Sequence, residues 1–187
     1  MLRFNSDHKF KIMQIADTQE IPAVSPDTLS LINNALDREK PDLVIFTGDQ
    51  IKGYSKKFKK DPAIIESTID ILVEPIAKRN IPFMVTYGNH DAQCGIDNRG
   101  QYKFYAKYDN FISGDLRNAD DVGTADIQIY SSTEDKPVFE LYIIDSHGKA
   151  KDGAGYAPVD KEQIEWYVSR REQLKAENGD YLPSLVF

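Results

Sequence analysis

Pro41-Asp42-Leu43-Val44-Ile45-Phe46-Thr47-Gly48-Asp49 is the stretch from which the fold can be read. Its centre, residues 43–46, is an unbroken apolar run. A strand with one wet face alternates apolar and polar residues, whereas an unbroken run marks a strand covered on both faces, as in parallel sheets. Pro41 closes the helical pattern in front of it, and Gly48-Asp49 ends the run on a turn residue and a charge.

The pattern extends outward in both directions. Upstream, Phe10, Ile12, Met13, Ile15 and Ala16 read as a short buried strand that stops at Asp17. Ser25-Pro26 then opens a helix, because serine can cap free amides and proline fits the first turn. Leu29, Ile32 and Leu36 follow at helical spacing. Downstream, residues 48–60 form a polar loop. Asp61-Pro62 starts a second helix with the face Ile65, Ile69, Leu72 and Ile76, and Ile81, Phe83, Met84 and Val85 make a third strand. Strand, helix, strand, helix, strand predicts parallel βαβ units with right-handed crossovers, an α/β chain.

The second half is less regular. Residues 102–111 have helical spacing with many aromatics, read as core packing. Residues 127–130 and 138–144 are predicted as antiparallel strands across the polar turn 131–136. Asp160 with Gln163 predicts a capping box and a helix to about Ala176, on which Trp166 is assigned to the core. Residues 182–187 read as a further strand.

The chain has 187 residues, enough for one domain with its own core. Asp and Glu number 30 against 23 Lys and Arg, a formal charge of -7, which argues against a general nucleic-acid binder. The one cysteine, Cys94, cannot form an internal disulfide and is given no role. Residues 1–11 carry Arg3, Asp7, His8, Lys9 and Lys11 with no apolar run of signal-peptide type. No stretch approaches a membrane span, so the expectation is a cytoplasmic protein without a membrane partner.

The polar residues that follow the strands carry the chemistry. The first three strands end in Asp17-Thr18-Gln19, Gly48-Asp49 and Gly88-Asn89-His90-Asp91. Functional groups of open α/β sheets gather outside the carboxyl ends of the strands. Asp17 and Asp49 supply anionic oxygens, Asn89 a neutral oxygen and His90 an imidazole, a set suited to divalent cations. Two cations within ~4 Å repel and need an anionic bridge, which one central carboxylate provides. Any one of these acids could simply cap a helix or turn; three on successive strands fit that account worse.

The order Asp-x-His, Gly-Asp, Gly-Asn-His-Asp/Glu at consecutive strand ends is the signature of calcineurin-like metallophosphoesterases, and the chain resembles that family over nearly its whole length. Residues 141–146 and 163–167 also resemble the purple-acid-phosphatase-like branch of bacteria and plants. The resemblance implies a β-sandwich flanked by helices, an αββα architecture, and two-metal hydrolysis of phosphate esters. It implies that Asp17 binds one metal, Asp49 bridges both and Asn89 binds the other. His90 would stabilise or protonate the transferred phosphate, with Asp91 orienting it.

Departures from the pattern shape the expectation. Gln19 stands where the family has its first-motif His, and its amide oxygen can still bind a hard cation. Lys52 replaces the tyrosine ligand of purple members, and Tyr54 has the wrong spacing, so no Tyr-ligated iron is expected. The family completes its site with a later His and a Gly-His-x-His. Here the only other histidines are His8, assigned to the surface, and His147 in Asp145-Ser146-His147, which is not counted as a ligand.

The expectation is therefore one phosphoesterase domain, residues 1–187, incomplete on its C-terminal side. It would use two divalent ions (Mn, Mg, Fe or Zn, with Mn favoured by the oxygen donors) on a phosphate-ester substrate. The alternative is a truncated or degenerate member that binds metal or phosphate without turnover. A strand at 182–187 with an unpaired edge would admit a homodimer. Lys56-Lys57-Phe58-Lys59-Lys60 reads first as a solvated loop and second as a steering patch. Gly153-Ala154-Gly155-Tyr156 resembles an active-site flank.

Overall fold

The chain runs β1 (Leu2–Arg3), β2 (Ile12–Ile15), α1 (Pro26–Glu39), β3 (Leu43–Thr47), α2 (Pro62–Ala77), β4 (Phe83–Thr86), α3 (Asn98–Ala106), β5 (Asp115–Leu116), β6 (Ala125–Tyr130), β7 (Pro137–Ile143), α4 (Lys161–Asn178) and β8 (Ser184–Val186), with short 3₁₀ turns at Lys56–Phe58 and Asp91–Cys94. These elements come from a computed structural model that describes residues 1–150 and 153–187. The helix starts follow the local chemistry. Ser25 accepts from the Asp27 amide, Asp61 from the Ala63 amide, and Asp160 and Gln163 form the reciprocal capping box.

Strands β2, β3 and β4 form a parallel sheet in that order, with Ile15 opposite Phe46 and Phe46 opposite Val85. A second, mixed sheet runs β1-β6-β7-β8, with β5 also on β6; β6 and β7 are antiparallel, and β8 lies parallel to β7. Alternation along the strands sorts the side chains. Val44, Phe46, Phe83 and Val85 face Ile32, Leu36, Ile65, Ile69 and Leu72 of α1 and α2. Leu43, Ile45 and Met84 face Leu2, Ala125, Ile129, Leu141 and Ile143 of the mixed sheet. On the outer side of that sheet, Trp166 and Tyr167 of α4 pack edge-on to Tyr142. The layers are helices, sheet, sheet, helix. No helix among the described residues is long and apolar enough to cross a membrane.

Three local readings change. The pattern at 102–111 belongs to α3 and the turn after it: Asp97 caps the helix through the Gly100 amide, the helix stops at Ala106, and Phe111 bridges to Phe83. The aromatic spacing continues past the helix because Tyr108 and Phe111 fill the same core. The two-residue strands β1 and β5 are too short to carry a period. Strand β6 begins two residues earlier, at Ala125, because Ala125 and Asp126 pair with Ile143 and Tyr142 of β7, the polar Asp126 side chain accepting from Arg170 (2.9 Å).

Asp126 is one half of a buried acid pair. Asp126 and Glu140 are each 1% exposed, and neither Glu140 oxygen meets an N–H or O–H donor from another group. The arrangement that satisfies Glu140 is to keep its own proton and share it with Asp126. Burial, and then the bond to Asp126, push the Glu140 carboxyl up from 4.5 to about 9. Between those values the folded chain holds a proton that the unfolded chain has released. Stability from this pair is full at low pH and falls as pH rises through the folded value. Glu140→Gln donates the same bond with no proton to lose. Its melting temperature should match the parent near pH 5 and exceed it by a growing margin toward about pH 8 in thermal melts. A constant offset across that range would show that no proton is shared.

Candidate active site

The carboxyl ends of β2 and β3 are tied to each other by main-chain bonds. The Asp17 amide donates to the Gly48 carbonyl (3.1 Å), the Gln19 amide to the Asp49 carbonyl (2.9 Å) and the Glu20 amide to the Gln50 carbonyl (3.1 Å). The loops thus continue the β2–β3 ladder past the strands, but through a kink. Asp17, Gln19 and Asp49 all have positive φ, between 43° and 54°. Left-handed backbone costs a non-glycine residue of order 1–3 kcal/mol, and such strain collects at functional positions. Here it coincides with three of the residues singled out from the sequence.

Asp91 holds this rim together from beneath. Its side chain is 0% exposed, and its two oxygens accept from the amides of Asp49 (2.7 Å), Gly88 (2.8 Å), Gln50 (3.0 Å) and Ile51 (3.4 Å). Burial pushes its carboxyl up to about 7, against the pull of those amides. The expectation that Asp91 orients His90 is corrected: its oxygens are spent on main-chain donors, and its burial keeps it from substrate. Gln93 takes that place, with Oε1 3.1 Å from His90 Nδ1.

The Gln93 orientation fixes the histidine. Its Nε2 donates to the Asn89 carbonyl (3.1 Å), so Oε1 is the acceptor and His90 Nδ1 carries a hydrogen. Nε2 is the ring nitrogen left for other partners. The His90 amide donates to Asp49 Oδ1 (2.8 Å), so the β3 and β4 motifs interlock. Tyr54 and Tyr156 stand edge-on to the His90 ring, at 4.8 and 5.8 Å between centroids. Lys149 and Tyr156 pair across the loop after β7, which carries Tyr156 back to the rim.

Sequence reasoning left His147 out of the site, yet the structure brings it near. Ser146 Oγ donates to the Tyr87 carbonyl (3.4 Å), and a methyl on Gly148 would lie 4.0 Å from the Asn89 carbonyl. The end of β7 therefore abuts the end of β4. His147, also at positive φ (60°), places Nε2 3.3 Å from Asp160 Oδ2. The legible signal was Asp-Ser-His directly after a strand. His8 bonds Ser132 on the surface, away from the rim.

By donor type, the rim residues are those a hard divalent cation takes. Asp49 is 7% exposed and uses Oδ1 for the His90 amide; its Oδ2 has no hydrogen-bond partner among the described residues. A methyl on Gly88 would lie 2.3 Å from Asp49 Oδ1, so the missing side chain lets that carboxylate lie against the Gly88 backbone. Asp17 is exposed, Asn89 half-buried, and Gln19 Oε1 accepts from the Tyr54 hydroxyl at 3.4 Å. Two carboxylates and two amide oxygens suit Mg²⁺ or Mn²⁺ chemistry. Among the described residues no three of His, Cys, Asp or Glu converge to hold a metal.

Comparison with known proteins places the chain in a family. A family model described as calcineurin-like phosphoesterase matches residues 10–182. Over 95% of its length the chain is 28% identical to the Arabidopsis thaliana protein named probable inactive purple acid phosphatase 14, of which it covers 50%. Over 85% of its length it is 32% identical to phosphatase DCR2 of Saccharomyces cerevisiae, of which it covers 30%. The chain thus spans half or less of these relatives. A crystal structure of a dimetal phosphatase from Danio rerio superposes on 95% of this chain and 68% of its own, with a TM-score of 0.63 at 13% identity, a likeness of fold.

Asp91→Ala strands four amides at once, three of them buried. It should lower stability by about 2–5 kcal/mol, read as a shifted urea midpoint at unchanged slope. An unshifted midpoint would show that the rim does not depend on this carboxylate.

Proposed function

The chain belongs to the calcineurin-like phosphoesterase family, and on that premise we propose that its rim is a metal-dependent site for the hydrolysis of phosphate esters. The observation that supports this most is the interlocking of the Asp17, Asp49 and His90 motifs at three adjacent parallel strand ends. In this reading Asp17 and Gln19 would hold one cation and Asn89 the other, with Asp49 as the carboxylate shared by both. Bound divalent ions would supply Lewis acidity and neutralise charge on the phosphoryl group.

The chain's own residues do the rest. His90, with Nδ1–H held by Gln93, presents Nε2. In its protonated form that nitrogen donates to a phosphate oxygen as negative charge grows there. The His90 amide fixes the Asp49 carboxylate, and Asp91 fixes the turn that carries Asp49. Mn²⁺ is the favoured ion, followed by Mg²⁺, because the donors are oxygens. A second reading, binding without turnover, draws support from Gln19 in the first motif and from the "probable inactive" name of an Arabidopsis relative.

Mn²⁺ titration calorimetry and 4-nitrophenyl phosphate turnover test both readings. Asp49→Asn should weaken uptake at both positions together; unchanged uptake would remove Asp49 as the bridge. His90→Asn should cut turnover by about a hundredfold or more while Mn²⁺ content stays near the parent's. Metal lost in step with turnover would make His90 a direct ligand. Mn²⁺ uptake with no turnover in the parent would favour the second reading.

A further inference from the structure

The side of the rim beyond His90 is built from groups that phosphate hydrolysis itself does not require. Tyr54 and Tyr156, 49% and 55% exposed, hold their rings edge-on to His90 from two different loops. Aromatic rings offer flat apolar surface to a planar partner, and here two converge on the His90 imidazole. Behind Tyr54 lies a recess of about 270 Å³, lined by Tyr54, Ser55, Lys56, Lys59, Lys60 and Gln93. Its wall is structured: Ser55 caps the 3₁₀ turn and Phe58 is buried under it.

The lysines of this wall are unspent. Among the described residues none of Lys56, Lys57, Lys59 and Lys60 makes an ion pair with an acid, in a chain of net charge -7, while Lys52 Nζ lies 5.3 Å from the centre of the Tyr54 ring. The larger cleft on the other side of the rim differs. Its two arginines are already matched, Arg99 to Asp120 (2.6 Å) and Arg117 to Asp121 (2.7 Å). The Tyr54 side offers flat surface and positive charge together.

Resting on the phosphoesterase reading above, we propose that Tyr54 and Tyr156 set the specificity of this site. The substrate is a phosphate ester whose leaving group is a planar ring bearing a second anionic group. The ring stacks against the tyrosines, and the second anion meets Lys56, Lys59 and Lys60. The lysine run is then a binding wall rather than a merely solvated loop.

Three non-hydrolysable probes separate the parts: methylphosphonate, phenylphosphonate and 4-phosphonobenzoate, titrated with Mn²⁺ present by calorimetry or ligand-observed NMR. Phenylphosphonate should bind about three- to tenfold more tightly than methylphosphonate, the increment a ring contact supplies. The added carboxylate should give roughly threefold more, an increment that salt abolishes. Tyr54→Ala and Tyr156→Ala should each shrink the phenyl-to-methyl ratio of Kd values, while the Phe variants keep it, since the face and not the hydroxyl is used. The triple variant Lys56→Ala, Lys59→Ala, Lys60→Ala should remove only the carboxylate increment. If methylphosphonate binds and the ring adds nothing, the aromatic wall is refuted while the phosphate site stands. If methylphosphonate does not bind, both fall.

Discussion

Everything at the rim depends on the buried carboxylate of Asp91. A parallel sheet leaves the amides beyond its strand ends without ladder partners, and here those amides are drawn inward by one side chain. Asp49, Gln50, Ile51 and Gly88 all donate to it, so the turns after β3 and β4 become one unit. The same geometry explains the glycines. A methyl on Gly48 would sit 2.5 Å from the Gly88 amide, and one on Gly88 2.3 Å from Asp49 Oδ1. Two turns packed this closely have no room for side chains between them. Buried polar groups are stable only when paired, and this carboxylate pairs with donors that would otherwise be orphans.

The second sheet contributes support and a border. Gln163, fully buried at the first turn of α4, donates to Thr124 Oγ1 and to the Asp145 carbonyl (both 2.9 Å). Asn98 of α3 reaches Asp145 Oδ2 at 2.6 Å. These bonds tie α3, α4 and the end of β7 together beside the rim, and they set where His147 and the loop to Tyr156 run. The mixed sheet therefore does more than close the sandwich. Through Ser146 and Tyr87 it also abuts the end of β4.

Much of this was legible beforehand. The unbroken run 43–46, the proline and serine punctuation and the capping box predicted the βαβαβ half and α4, because local chemistry alone decides those features. The short strands β1 and β5 were not legible, since two residues show no period. The end of α3 was misread because core-facing spacing outlasted the helix.

For the site, the sequence determined which residue types follow which strands: Asp17, Gln19, Asp49, Asn89, His90 and Asp91, in an order that only a shared rim makes meaningful. What it could not determine is which neighbour each group uses. Asp91 follows His90 directly in the chain, so the sequence suggested that one serves the other. The fold instead turns Asp91 inward onto amides some forty residues earlier in the chain and leaves His90 to Gln93. Likewise Tyr54 and Tyr156 lie far apart in the chain and meet at His90 in the fold. Residue type and strand position are local properties, whereas burial and hydrogen-bond pairing are settled by whichever distant backbone arrives next to a side chain.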